Sequence, residues 1–187
     1  IYREILEAQP SHVAAREALE RLAQDISWRA EIADVLEPLY VQLGDWERLV
    51  GLLRLRLELM DFPADRCAAL RRIAELTEEK LGRPEDAFRA YCEALKADPE
   101  DGLVWPHLER LAESCGAWRQ LTEVSEQVAD EIGDDIEQRE TLLKVGGWYR
   151  EKLGELRESE RIYRQVLDND PGNEVALGAL ESIYTEQ

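Results

Sequence analysis

Side chains able to do chemistry are abundant in this chain of 187 residues, but most stand in patterns that no reaction requires. Carboxylates are paired at Glu78 with Glu79 and at Asp134 with Asp135. Acid–base catalysis needs such a pair in a cleft with one pKa raised, and adjacency in sequence supplies neither. The cysteines, Cys67, Cys92 and Cys115, are odd in number and never spaced C-x-x-C, so neither a zinc site nor a disulfide framework is indicated. His12 and His107 lie outside any metal-binding spacing such as H-E-x-x-H. G-x-S-x-G, the P-loop and G-x-G-x-x-G are all missing. The expectation is therefore a chain that is not an enzyme, with no catalytic residue, no cofactor and no metal.

The more informative side chains are basic ones inside an acidic sequence. Arg71, Arg72, Arg110 and Lys144, accompanied by Glu75, His107, Glu113, Gly147 and Glu151, form a mixed-charge set. On one shared surface it could read a polar peptide through forked guanidinium contacts. The bland alternative is that these cations pair with neighbouring glutamates on a wet surface. The whole chain has 41 acidic and 23 basic residues, a formal charge of −18. That charge repels phosphate backbones and anionic bilayers, so neither nucleic acid nor a membrane is an expected partner. Charged residues make up 34% and apolar ones 44%, a balance suited to amphipathic helices with one solvated side. The greasiest stretch, Leu49–Met60, is broken by Arg54 and Arg56 and does not reach the length of a membrane span.

The elements that must position these side chains are announced by repetition. Glu79–Pro99, EKLGRPEDAFRAYCEALKADP, returns 72 residues later at Glu151–Pro171, EKLGELRESERIYRQVLDNDP. Laying Trp46–Cys115 over Trp118–Gln187 without a gap gives fourteen identities in seventy pairs, where unrelated sequences of average composition would give about five. They fall on backbone- and core-setting residues, among them Trp46/Trp118, Lys80/Lys152, Gly82/Gly154, Tyr91/Tyr163 and Pro99/Pro171. Such a period predicts stacked helical units.

Taken in order, Ile1–Gln9 reads as the second helix of a unit whose first helix has been cut away, stopped by Pro10. The start at Ile1, inside a helix and without methionine, reads as a fragment of a longer array. Ser11 is expected to cap a second helix with Val13, Leu19 and Leu22 buried. A third runs over Ser27–Leu43, kinked or interrupted at Pro38. Pro10 precedes Pro99 by 89 residues rather than 72, so residues 1–44 form an irregular opening to the array and 45–187 its regular part, in one continuous solenoid. Helices follow at about Trp46–Met60, Asp65–Leu81, Pro84–Ala97, Asp101–Ser114, Ala117–Ile132, Asp134–Lys152, Leu156–Asp168 and Glu174–Glu186. Pro63 stands in a turn, and Gly44, Gly82 and Gly116 stand at corners.

These residues resemble tetratricopeptide repeats, helix-turn-helix modules of roughly 34 residues. Trp105, Leu108, Gly116, Trp118, Leu121 and Val128 stand at the family's intervals, as do Gly82, Ala87, Tyr91, Ala94 and Pro99. Gly154, Ser159, Tyr163, Val166 and Pro171 keep the ring and replace both alanines. The likeness is to divergent, acidic bacterial multi-repeat arrays. It implies an all-α, right-handed superhelical solenoid of antiparallel helix pairs, about 11 helices in all. It also implies a concave groove lined by first helices, toward which Arg71, Arg72, Glu75, His107, Arg110, Glu113, Lys144 and Glu151 would point. Trp46, Trp105 and Trp118 occupy family core positions, which implies packing rather than ligand stacking; the places of Trp28 and Trp148 are left open. The family's chaperone-tail constellation of Lys and Asn is disfavoured, because the only asparagines are Asn169 and Asn173 near a turn. The function implied is non-catalytic binding of a peptide or partner protein in the groove. The alternatives are a structural spacer or self-assembly segment whose ends stick to one another, and a regulatory segment of a larger enzyme. The unpaired cysteines favour a cytoplasmic setting.

Overall fold

Amphipathic spacing, proline at helix starts and glycine at helix ends leave room for little but helices. In the computed structural model, which describes residues 1–186, there are eleven α-helices, one short 3-10 turn and no strand among the described residues. Gln187, the last position of the aligned repeat, lies outside them. One compact unit, Ile1–Ala97, holds α1 (Tyr2–Ala8), α2 (Val13–Leu22), α3 (Ile26–Leu43), α4 (Trp46–Leu57), α5 (Pro63–Glu79) and α6 (Pro84–Ala97). A second begins at Asp98 and holds the turn Gly102–Val104, α7 (Trp105–Cys115), α8 (Trp118–Ala129), α9 (Asp135–Glu151), α10 (Leu156–Asn169) and α11 (Glu174–Glu186). Within each unit every helix packs on the next in sequence across a short turn. This is the all-α array of helix pairs that the tetratricopeptide resemblance implies.

The strongest pairings are α5 with α6 and α9 with α10. Each corner is a glycine, Gly82 at φ +65° and Gly154 at φ +69°, a left-handed conformation that costs other residues a steric penalty. Beyond the corner, Tyr91 of α6 and Tyr163 of α10 are both buried. Around Tyr91 the neighbours on its own helix are Ala87, Ala90 and Ala94; around Tyr163 they are Ser159, Ile162 and Val166, all buried. In the second unit the close approach is explicit. A Cβ on Gly146 would stand 3.0 Å from the Tyr163 ring, and Ser159 Oγ donates to the Gly146 carbonyl at 2.8 Å.

The irregular opening differs from its sequence-based description in several ways. His12, not Ser11, caps α2, its Nδ1 accepting from the Ala15 amide at 3.1 Å. Leu19 is buried as expected, but Val13 and Leu22 are exposed, because the buried stripe runs through Ala15, Leu19 and the C-cap residue Ala23 at four-residue spacing. Helix α3 runs unbroken through Pro38, one missing amide bond being offset by the burial of Ile32, Leu36, Leu39 and Tyr40. Trp28 and Leu43 of that helix are exposed. Pro63 opens α5 at its first turn rather than sitting in a turn before it, where its lacking N–H costs nothing. The turn α2–α3 is closed by Arg29, which sequence reasoning passed over. It is buried, and it donates to the carbonyls of Ala23 (3.0 Å), Gln24 (3.2 Å) and Leu55 (3.3 Å) and to the Glu58 carboxylate (2.5 Å).

Candidate functional site

The residues singled out from sequence lie on first helices in both units, and each unit builds its own surface from them. On α5, Arg71 is half-buried, and Arg72 and Glu75 are exposed. Arg72 reaches α3, where its guanidinium donates to Glu37 at 2.5 Å. The same carboxylate takes Arg56 of α4 at 2.8 Å, and Arg56 also reaches Asp34 at 3.3 Å. The result is a chain of alternating charge across three helices.

In the second unit His107 (half-buried), Arg110 and Glu113 ride on α7, and Lys144 and Glu151 ride on α9. Lys144 pairs with Glu109 at 3.8 Å and lies 4.9 Å from the centre of the Trp105 ring. Lys144 and Glu109 stand 72 residues after Arg72 and Glu37, so the two units place one cation–carboxylate pair at equivalent positions of their first helices. A second motif recurs with the same period. Lys80 lies over Trp46 at 5.8 Å, and Lys152 over Trp118 at 4.6 Å, an arrangement stabilised by the negative face of the indole. In the second unit that motif is anchored by Glu113, which accepts from Lys152 Nζ at 2.8 Å and from Trp118 Nε1 at 2.9 Å. Those hydrogen bonds, that from Lys152 foremost, hold the Glu113 carboxyl below the usual carboxylate range.

Underneath, Trp148 is buried and tilts against both neighbours, its ring centre 6.2 Å from that of Trp105 and 5.7 Å from that of Trp118. Trp105, Trp118 and Trp46 are half-buried, each showing part of an indole to solvent beneath a lysine. Sequence reasoning found Arg72, Lys144 and Glu113 but missed the residues that complete them: Glu37, Arg56, Glu109, Lys80 and Lys152. The signal was there, since Lys80/Lys152 and Trp46/Trp118 are among the repeat identities.

The first unit also has a shallow, largely apolar cleft of about 370 Å³ among α2, α3 and α4, floored by Leu36, Leu52 and Leu55. At its edge Tyr40 donates to Glu20 at 2.7 Å, and burial together with that carboxylate pushes the phenol well above its usual range. Cys67 and Cys92 are buried and Cys115 half-buried, all as free thiols; burial pushes Cys92 up to about 12. Among the described residues, no group of three His, Cys, Asp or Glu side chains could hold a metal ion. No helix there is long and apolar enough to cross a membrane.

No family model and no curated protein matches the chain. Among solved structures it is similar to YrrB, a TPR protein with an unusual peptide-binding site, at 14% identity over 96% of this chain and 88% of that one, with a TM-score of 0.40. A score that low says nothing about a shared site, and the helix pairing rests on the contacts within this chain.

Proposed function

We propose that this chain is a non-catalytic interaction scaffold that holds a peptide or partner protein on the exposed faces of its first helices. The residues offered are Arg71, Arg72 and Glu75 in one unit and His107, Arg110, Glu113, Lys144 and Glu151 in the other. One observation supports this reading above the rest: the pairs Arg72–Glu37 and Lys144–Glu109 recur at equivalent positions on solvated faces, the second above a half-exposed indole.

Exposed ion pairs of this kind contribute little to folding, so opening them costs little. An incoming carboxylate can take Arg72 or Lys144, while an incoming guanidinium takes the released glutamate and stacks on the Trp105 ring. Such a face suits a polar segment carrying both signs of charge, and the formal charge of −18 draws basic segments toward it from a distance.

The test joins capture to affinity. A photo-crosslinker at position 107 identifies a bound protein in lysate, and that protein is then purified and titrated against wild type and a variant with Arg71, Arg72, Arg110 and Lys144 all changed to Glu. Binding weakened at least about tenfold, which is about 1.4 kcal/mol, by a variant that is still folded by circular dichroism at the titration temperature supports the scaffold. Equal affinity for both chains removes these faces from the function.

A further inference from the structure

A small cleft of about 130 Å³ lies wholly within the second unit, between the segment that leads into α7 and the first half of α9. Clefts that hold drug-sized ligands run to about 300–1,000 Å³; this one suits a single long side chain. Pro99, Trp105 and the buried Ile132 make its apolar wall, and Glu137, Glu140 and Thr141 of α9 its polar one. Thr141 is only 6% exposed, yet its hydroxyl makes no hydrogen bond among the described residues, whereas the buried hydroxyls of Thr77 and Thr122 donate to the carbonyl four residues back at 2.6 and 2.8 Å. Such a group costs free energy until something meets it. Glu137 and Glu140 are exposed and make no ion pair among the described residues. The other two charged groups of the cleft are engaged. Glu100 gives one oxygen to the Gly133 amide at 3.0 Å, and Lys144 turns its ammonium to Glu109 at 3.8 Å and to the Trp105 ring at 4.9 Å. Three carboxylates against one cation leave the cleft negative.

The repeat supplies a control. At the matching places 72 residues earlier the first unit has the fully buried Ala33 for Trp105, and Ala68 and Ala69 for Glu140 and Thr141. There Arg72, the counterpart of Lys144, closes on Glu37 at 2.5 Å. The helix pairing forms without the indole, the carboxylate and the hydroxyl, so packing does not require them.

We infer that this cleft takes the side chain of one lysine of a partner polypeptide. The three N–H donors of an ammonium match three open acceptors, the Thr141 hydroxyl and the carboxylates of Glu137 and Glu140, and the aliphatic stem lies along Ile132 and Trp105. The indole already carries an ammonium, that of Lys144, over its face. An arginine would bring five donors in a flat fork to the same three acceptors. The inference deepens the scaffold reading, on which it rests for the partner being a polypeptide, and names the side chain that the second unit selects.

The decisive experiment titrates the 187-residue chain with Nα-acetyl-lysine amide and follows its backbone and indole N–H signals by NMR, up to about 50 mM, because one side chain alone binds in the millimolar range. The amides of Nα-acetyl-arginine, Nα-acetyl-norleucine and Nα,Nε-diacetyl-lysine are the controls. Saturable shifts are expected at Gly133, Thr141 and the Trp105 indole with the lysine amide, at least about threefold tighter than with the arginine amide, and none with the two uncharged amides. Thr141→Val and Glu140→Gln are each expected to stay folded by circular dichroism and to weaken the lysine amide at least about threefold. The absence of saturable shifts at the cleft overturns the inference. So does an uncharged or arginine amide that binds as tightly as the lysine amide, and so does a Thr141→Val chain that binds like wild type. The scaffold reading fails by a different result, equal affinity of its captured partner for wild type and the charge-reversed chain, so the two are separable.

Discussion

The hairpins α5/α6 and α9/α10 are the same device built twice with different parts. They share the left-handed corner glycine, the buried tyrosine one helix later, and the lysine laid over a tryptophan at the corner. They differ in how the helices are brought together. In the first, Ala74 of α5 and the small residues Ala87, Ala90 and Ala94 of α6 are all fully buried. In the second, Gly146 stands in the place of Ala74, Ser159 replaces Ala87 and bonds back to the Gly146 carbonyl, and Ile162 and Val166 replace the other two alanines. Larger groups on the second helix are offset by a smaller one on the first. A repeat fixes what the backbone needs at the corner and lets volume be traded across the interface, as expected of cores packed to constant density.

The largest effect tests the shared part. Tyr163→Ala is expected to destabilise by about 3 kcal/mol, and Tyr91→Ala by about the same, on the scale of large core truncations; urea unfolding measures both. A mutant of either ring that unfolds at the wild-type midpoint would show that the ring is not core. The traded part is tested next. Gly146→Ala places a Cβ 3.0 Å from a buried ring and is expected to cost about 1–2 kcal/mol, even though alanine favours the helix interior over glycine by about 1 kcal/mol. In a Tyr163→Leu background the clash is gone and the same change becomes stabilising. Ala74→Gly in the first hairpin finds no such compensation and costs about 1 kcal/mol or more.

Gly82→Ala and Gly154→Ala come next, each expected to cost about 1 kcal/mol because both sit at positive φ with open space around them. Equal costs confirm that the corner is the invariant of the device; a large inequality would mean that one corner is shaped by its surroundings.

What could be read from sequence follows the same division. Corner glycines, the helix-opening Pro84 and the two tyrosines carry fixed meanings over short spans, and they placed both hairpins. The cap of α2 was misread because Ser11 and His12 are adjacent and either can accept from the first turn. Burial in α2 was misread because Ala15 and Ala23 hold places that larger residues were expected to hold. At the site, Arg72 and Lys144 were recognised as cations without their partners. Glu37 and Glu109 lie 35 residues upstream of them, on a different helix, where no periodicity within one helix connects them. Charge neighbours are set by helix stacking, and a spacing rule for one helix cannot reveal them.

Arg72→Glu reverses one such pair, leaving Glu37 beside a new carboxylate with Arg56 still in place. The expected loss is under about 1 kcal/mol and shrinks in salt, as for other exposed pairs.

The smallest effect separates the two lysine–tryptophan motifs. Glu113 holds Lys152 in the second unit, but the equivalent place on α3, 72 residues earlier, is the exposed Val41. Lys80 therefore lies over its indole without that carboxylate, and farther off, at 5.8 Å against 4.6 Å. Lys152→Met is accordingly expected to cost more than Lys80→Met, both under about 1 kcal/mol. The pH dependence makes the comparison sharper. The Glu113 carboxyl is held below its ordinary range in the folded chain, so its contribution is complete above the unfolded pKa and is lost as pH falls through the folded one. The difference between wild type and Lys152→Met should therefore narrow in acid, while that for Lys80→Met stays flat. If both differences are flat, Glu113 does not anchor the motif, and the shorter distance in the second unit has to come from packing around Trp148.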